Sequence, residues 1–142
     1  MTKKTKLKIC NWSLLIVSIL VLVTSIFLEV QHGEGLFGFS FTTHVILHVI
    51  FATTMVLLVL WHLYLHFGTK QWLQKLKKLK SHVTGKLFYI YLIAFISGLI
   101  ALPQWLIHAS HTTIGGVHGK LALIFIIVAI GHAIKRIKWF KK

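Results

Sequence analysis

Acidic side chains are nearly absent: the 142 residues hold two Asp or Glu against sixteen Lys or Arg. Those two, Glu29 and Glu34, stand at or beyond the end of the first long apolar run. Carboxylate-bridged di-iron or di-manganese sites of the helix-bundle type therefore lack their ligands. A proton relay built from carboxylates inside a membrane lacks its stations. The single cysteine, Cys10, excludes an intramolecular disulfide and a thiolate cluster alike. The single proline, Pro103, is placed where it is expected to kink or end a helix.

Apolar residues are abundant, at 56% of the chain. They gather in four runs, about 10–30, 41–67, 86–107 and 114–135, each long enough to cross a bilayer. Residues 1–142 then form one integral membrane domain with no room for a separate soluble one. The expected fold is an all-α membrane protein, a four-transmembrane-helix bundle built as two tandem helical hairpins. A net charge of +14 would point to nucleic acid in a soluble protein. Here its placement excludes that partner. Lys3, Lys4, Lys6 and Lys8 precede the first run, and Lys70, Lys75, Lys77, Lys78, Lys80 and Lys86 lie between the second and third. Lys135, Arg136, Lys138, Lys141 and Lys142 follow the fourth, which leaves Lys120 as the exception. This positive-inside pattern makes both termini cytoplasmic.

The basic start and first run resemble a signal peptide. The run is too long for an ordinary one and lacks a small-x-small cleavage site, so a retained span is expected. The outer segment QHGEGLFGFS carries glycines at 33, 35 and 38, which argue against continuous helix. In the loop 68–85, Trp72, Leu73, Leu76 and Leu79 alternate with lysines at near-helical spacing. That pattern predicts a basic amphipathic helix lying on the membrane surface, in contact with lipid.

Histidines carry the chemistry. His48 and His62 close one uncharged run, and His118 and His132 close another; both pairs are fourteen positions apart. Fourteen helical residues turn roughly 1400°, about 40° short of four turns, so both members face nearly one way. They rise roughly 21 Å apart, against a hydrocarbon core of about 30 Å. The second and fourth spans run in the same direction. His48 is then level with His118, and His62 with His132. Two opposed neutral imidazoles per level suit six-coordinate haem iron. A tetrahedral zinc site needs three or four ligands at one point, which this interval does not offer. The same helix faces carry Ala52, Met55 and Val59, and Ala122, Phe125 and Ala129. Ala52 and Ala122 would let a flat macrocycle approach the backbone, while Met55 and Phe125 fall midway between the two levels. Gly119 and Gly131 adjoin ligands, and Gly98, beside Ser97, is expected to adjoin one from the third span.

This layout resembles the cytochrome b subunit of respiratory quinol-oxidising complexes, with two haems between two parallel helices. More closely, the chain resembles the small bacterial four-helix cytochromes of the flavinylation-associated cytochrome family. The shared pattern is a histidine, a small residue four later and a second histidine fourteen after the first. Here it reads His48, Ala52, His62 and His118, Ala122, His132. Phe67, Arg136 and Trp139 match the aromatic or basic ends. That family often has glycine at the small position, so Ala52 and Ala122 depart from it. The resemblance implies a multi-pass protein of the bacterial cytoplasmic (inner) membrane that binds two haem b groups. His48 and His118 would hold the outer iron, and His62 and His132 the inner one. It also implies electron transfer with flavin- or quinone-linked partners.

Alternatives remain open among the other histidines. His44 and His66 lie one turn beyond His48 and His62, and the pairs 44/62 and 48/66 are eighteen apart, five full turns. His32, His44, His108 and His111 are candidate proton acceptors for quinol at the outer face. Lys120 is a candidate partner for an outer haem propionate. The leading expectation is an electron-transfer cytochrome or the membrane subunit of an oxidoreductase. Its partners would be a flavoprotein, a periplasmic carrier or the quinone pool, with a homodimer or larger complex compatible. The alternative is a histidine-based protein that binds or transports a metal ion. It would need ligands every few ångströms, and the middles of both histidine-bearing runs have none. A purely structural subunit, with histidines tying helix to helix, leaves the repeated spacing unexplained.

Overall fold

The structure, a computed structural model, describes residues 1–30, 38–68, 74–75, 83–108 and 112–135. Four long helices make up the fold among the described residues: α1 (Lys3–Val30), α2 (Phe41–Phe67), α3 (Val83–His108) and α4 (Thr113–Lys135). They hold 28, 27, 26 and 23 residues. At 1.5 Å per residue they reach roughly 34–42 Å, enough to cross about 30 Å of hydrocarbon. All four are apolar enough to do so, and the chain is a multi-pass membrane protein.

Helix ends follow local chemistry. The Thr2 hydroxyl accepts from the Thr5 amide (3.3 Å), Ser40 from Thr43 (3.2 Å) and Thr112 from Gly115 (3.1 Å). Each satisfies an amide that a helix start leaves without a partner. α2 stops at Gly68, whose φ of 69° is the left-handed region that favours glycine. α1 starts at Lys3, well before the apolar run. Hydropathy marks where lipid begins, while the Thr2 cap and the solvated lysines let the helix extend past it. α3 passes through Pro103 and continues to His108, so this proline does not end its helix. The proline removes one backbone hydrogen bond, and membrane helices tolerate that where neighbouring groups re-satisfy the carbonyl.

Polar side chains within the helices turn back on their own backbone. Thr24 donates to the Leu20 and Val21 carbonyls, Ser25 to Val21, Thr54 to Ile50 and Ser97 to Ala94. No hydroxyl among these needs water. Large aliphatic side chains such as Ile16, Leu57, Ile93 and Ile127 face outward, each more than half exposed. In a bilayer that surface contacts lipid tails.

α1 packs on α2 as an antiparallel hairpin, and α3 on α4 as a second. Cys10 reaches the Leu58 carbonyl (3.6 Å), Ser18 the Met55 sulfur (3.9 Å) and Thr24 the ring of His48 (3.0 Å), which sets the first hairpin's register. α1 also packs on α4, whereas the remaining helix pairs are spaced more widely. The start of α1 lines one cavity with the end of α4 and the end of α1 lines the other with the start of α4, so α2 and α4 run parallel. The buried core holds Val21, Met55, Tyr91, Ala94, Phe125 and Ile126, with every helix contributing. Of the amphipathic segment expected within 68–85, only Gly68, Gln74, Lys75 and residues 83–85 are described, and His32, His82, His111, Arg136 and Trp139 lie outside the described residues.

Candidate functional site: two stacked cavities between paired histidines

Two cavities lie end to end inside the bundle. One, of about 690 Å³, is lined by His62 and His132 and sits at the end where α1 begins. The other, of about 470 Å³, is lined by His48 and His118. Both volumes fall in the range of cofactor sites, about 300–1,000 Å³. Met55, Tyr91 and Phe125 belong to both walls and form the partition between them. All three are at most 8% exposed, and the Tyr91 and Phe125 rings pack at 5.4 Å.

Each cavity is thus lined by one of the expected histidine pairs. The faces on which they stand also line the cavities. Ala52 and Ala122 belong to the His48 cavity, and Val59 and Ala129 to the His62 cavity. The 3.6-residue period places these residues, since each face was defined by one turn angle.

The geometry at His48 and His118 is specific. Their ring centroids lie 6.3 Å apart, with the planes inclined at 72°. A metal–imidazole bond is about 2 Å long and the centroid lies about 1 Å behind the nitrogen, so two axial imidazoles on one metal have centroids about 6 Å apart. Each ring is held from behind by a hydroxyl of its hairpin partner. His48 Nδ1 lies 3.0 Å from Thr24 Oγ1 on α1, and His118 Nδ1 lies 3.0 Å from Ser97 Oγ on α3. Both hydroxyl hydrogens are already directed at backbone carbonyls. With those hydrogens on the carbonyls, the oxygens accept from the rings, in the tautomer that carries its proton on Nδ1. Each Nε2 then keeps its lone pair, the form that ligates a metal. A ligating histidine normally donates its other N–H to such a partner.

Gly98 completes the His118 seat. A Cβ added there would stand 2.9 Å from His118 Cε1 and 3.4 Å from both ring nitrogens. Only a residue without a side chain lets the ring lie against α3. Trp105 also lines the His48 cavity, and its buried Nε1–H has no acceptor among the described residues. An orphaned donor facing such a cavity suits an acceptor on a bound molecule. Glu29 lines the same cavity, with its carboxylate 3.6 Å from the Cβ that Gly119 lacks.

The other candidates distribute unevenly. His66 shares the His62 cavity, with its ring 4.5 Å from that of His62. His44 is 2% exposed and packs edge-on between Phe27 (5.6 Å) and Phe39 (5.9 Å), off the wall of the His48 cavity. One helical turn from His48 proved enough to rotate it against α1. Lys120 and His108 are exposed and line neither cavity. Among the described residues, no three His, Cys, Asp or Glu converge as a metal-ion site.

Thr24, Tyr91, Trp105 and Glu29 escaped the sequence reading. Thr24 and Ser97 carry a usable signal: each is a mid-helix hydroxyl on the helix preceding a histidine-bearing one. Tyr91 and Trp105 carry none, because their roles depend on how α3 is rotated. No protein-family model, curated protein or solved structure matches this chain.

Proposed function

We propose that this chain is a transmembrane electron carrier that holds two b-type haems, one in each cavity. His48 and His118 would hold the outer haem, and His62 and His132 the inner one. Haem, when bound, supplies one-electron exchange at its iron. The residues supply everything else. Thr24 and Ser97 keep the outer imidazoles turned with Nε2 toward the centre. Gly98 makes room for the His118 ring, and Ala52 and Ala122 leave space for a flat ring close to the backbone. Trp105 offers a donor for a peripheral acceptor group. Met55, Tyr91 and Phe125 keep the two sites apart by little more than one layer of side chains and exclude water between them.

The observation that carries this reading is the matched pair of hydroxyl-held imidazoles facing each other at 6.3 Å. The second cavity, with its own pair of histidines, extends it to two sites. The lysine distribution supports cytoplasmic termini and hence an inward-facing His62 cavity. The resemblance to the flavinylation-associated cytochromes and to cytochrome b supports a bacterial inner-membrane setting. A flavoprotein, a periplasmic carrier or a quinone would serve as donor or acceptor.

A reduced-minus-oxidised spectrum of the purified protein tests this. The expected result is b-type bands. A colourless protein that takes up zinc stoichiometrically would overturn it in favour of a metal-ion binding protein.

A further inference from the structure

We infer that Lys3, Lys4 and Lys8 of α1 hold the propionate groups of the haem seated between His62 and His132, an inference that rests on the di-haem reading above. All three lysines line the His62 cavity. The same face of α1 continues through Asn11, Leu14 and Leu15 into that cavity. These positions recur at three and four, so one helical stripe passes from charged at its start to apolar deeper in. A molecule that fits is apolar at one end and anionic at the other, which a haem with its two carboxylates satisfies.

Charge balance points the same way. No Asp or Glu lines this cavity among the described residues. Of the chain's two acids, Glu29 lines the opposite cavity and Glu34 follows the far end of α1 in sequence. Three lysines, exposed to the surroundings, therefore line one end of this cleft with no Asp or Glu beside them among the described residues. Such a cleft focuses positive potential and attracts anions. The His48 cavity is the reverse: among the described residues it has Glu29 and no lysine on its wall. Lys120, the sequence candidate for a propionate partner, lies off that wall. Lysines commonly reach instead for lipid headgroups, and the experiment separates the two.

The readout is the midpoint potential, since cations near an iron favour its ferrous form. The full-length protein is titrated potentiometrically as wild type, as Lys8→Gln, as the triple Lys3→Gln/Lys4→Gln/Lys8→Gln, and as the matching triple Lys→Arg. The triple Gln variant is expected to lower the ferrous-to-ferric ratio of the inner component about tenfold, or about 59 mV for one electron. Lys8→Gln, which leaves three N-terminal lysines to fix membrane orientation, is expected to give about threefold. The Arg variant should match wild type, and the outer component should not move in any of them. Selective loss of the inner haem in the triple Gln variant would also support the assignment. An unmoved inner potential with both haems retained would overturn it, and so would equal shifts of both components, which mark a headgroup effect. If the triple variant loses both haems, Lys8→Gln decides by the same criteria. Absence of haem from the wild type would instead refute the di-haem reading itself.

Discussion

Gly98→Ala is the smallest change that should disable one site and spare the other. Carbon atoms in contact sit about 3.5–4.0 Å apart. The new Cβ would stand 2.9 Å from His118 Cε1, so the ring must retreat by about 0.6–1.1 Å. Metal–ligand distances tolerate about 0.2 Å. Retreat also strains the 3.0 Å bond from His118 Nδ1 to Ser97. Overpacking of this kind costs about 1–3 kcal/mol, or about 5- to 150-fold in affinity at the His48/His118 site. The assay is haem per chain by pyridine haemochrome, with spectra recorded at matched protein concentration. Gly131→Ala is the control, because a Cβ there meets nothing within 4 Å. The expected result is that Gly98→Ala loses the outer haem while Gly131→Ala keeps both. Equal haem content and unchanged bands in the two variants would refute the argument that Gly98 seats the ligand.

Other perturbations follow from the same geometry. Thr24→Val and Ser97→Ala each remove the hydroxyl behind an outer ligand and should weaken haem retention there by about 10- to 100-fold. Thr24→Ser should restore it, as measured by haem loss to an acceptor protein. His44→Leu removes a buried Nδ1 that has no partner among the described residues, a defect that costs about 1–3 kcal/mol. The variant should keep both haems and melt no lower than wild type in detergent. Loss of a haem there would revive the 44/62 ligand pair. Trp105→Phe should leave inner haem content unchanged and weaken the outer site, checked by titrating haem into the purified variant.

Much of this architecture is legible in the chain because lipid imposes it. Long apolar runs must be helices when no water can satisfy their backbone, so four spans could be read directly. The charge pattern orders the helices, and the fourteen-residue interval then pairs the histidines. Ala52, Met55, Ala122 and Phe125 were found because they share a face with a histidine, and face is a property of one helix alone. What depends on two helices was not legible. That Thr24 stands behind His48 is set by how α1 and α2 slide and rotate against each other. His44 shows the limit of the face argument: it is one turn from His48, yet the pitch of the α1–α2 contact turns it between Phe27 and Phe39. Of the two outcomes expected at Pro103, a kink or an end, the helix does not end there. Rules for proline come from helices in water, and a membrane helix has no competing solvent to fray it.

The central claim is that four histidines form two level pairs. The most direct test is a potentiometric titration of the wild type and the four single His→Ala variants. The wild type should show two one-electron components and two haems per chain. His48→Ala and His118→Ala should remove the same component, and His62→Ala and His132→Ala the other. Four variants that each removed a different fraction, or a His62→Ala variant that lost the component shared by His48 and His118, would contradict the pairing.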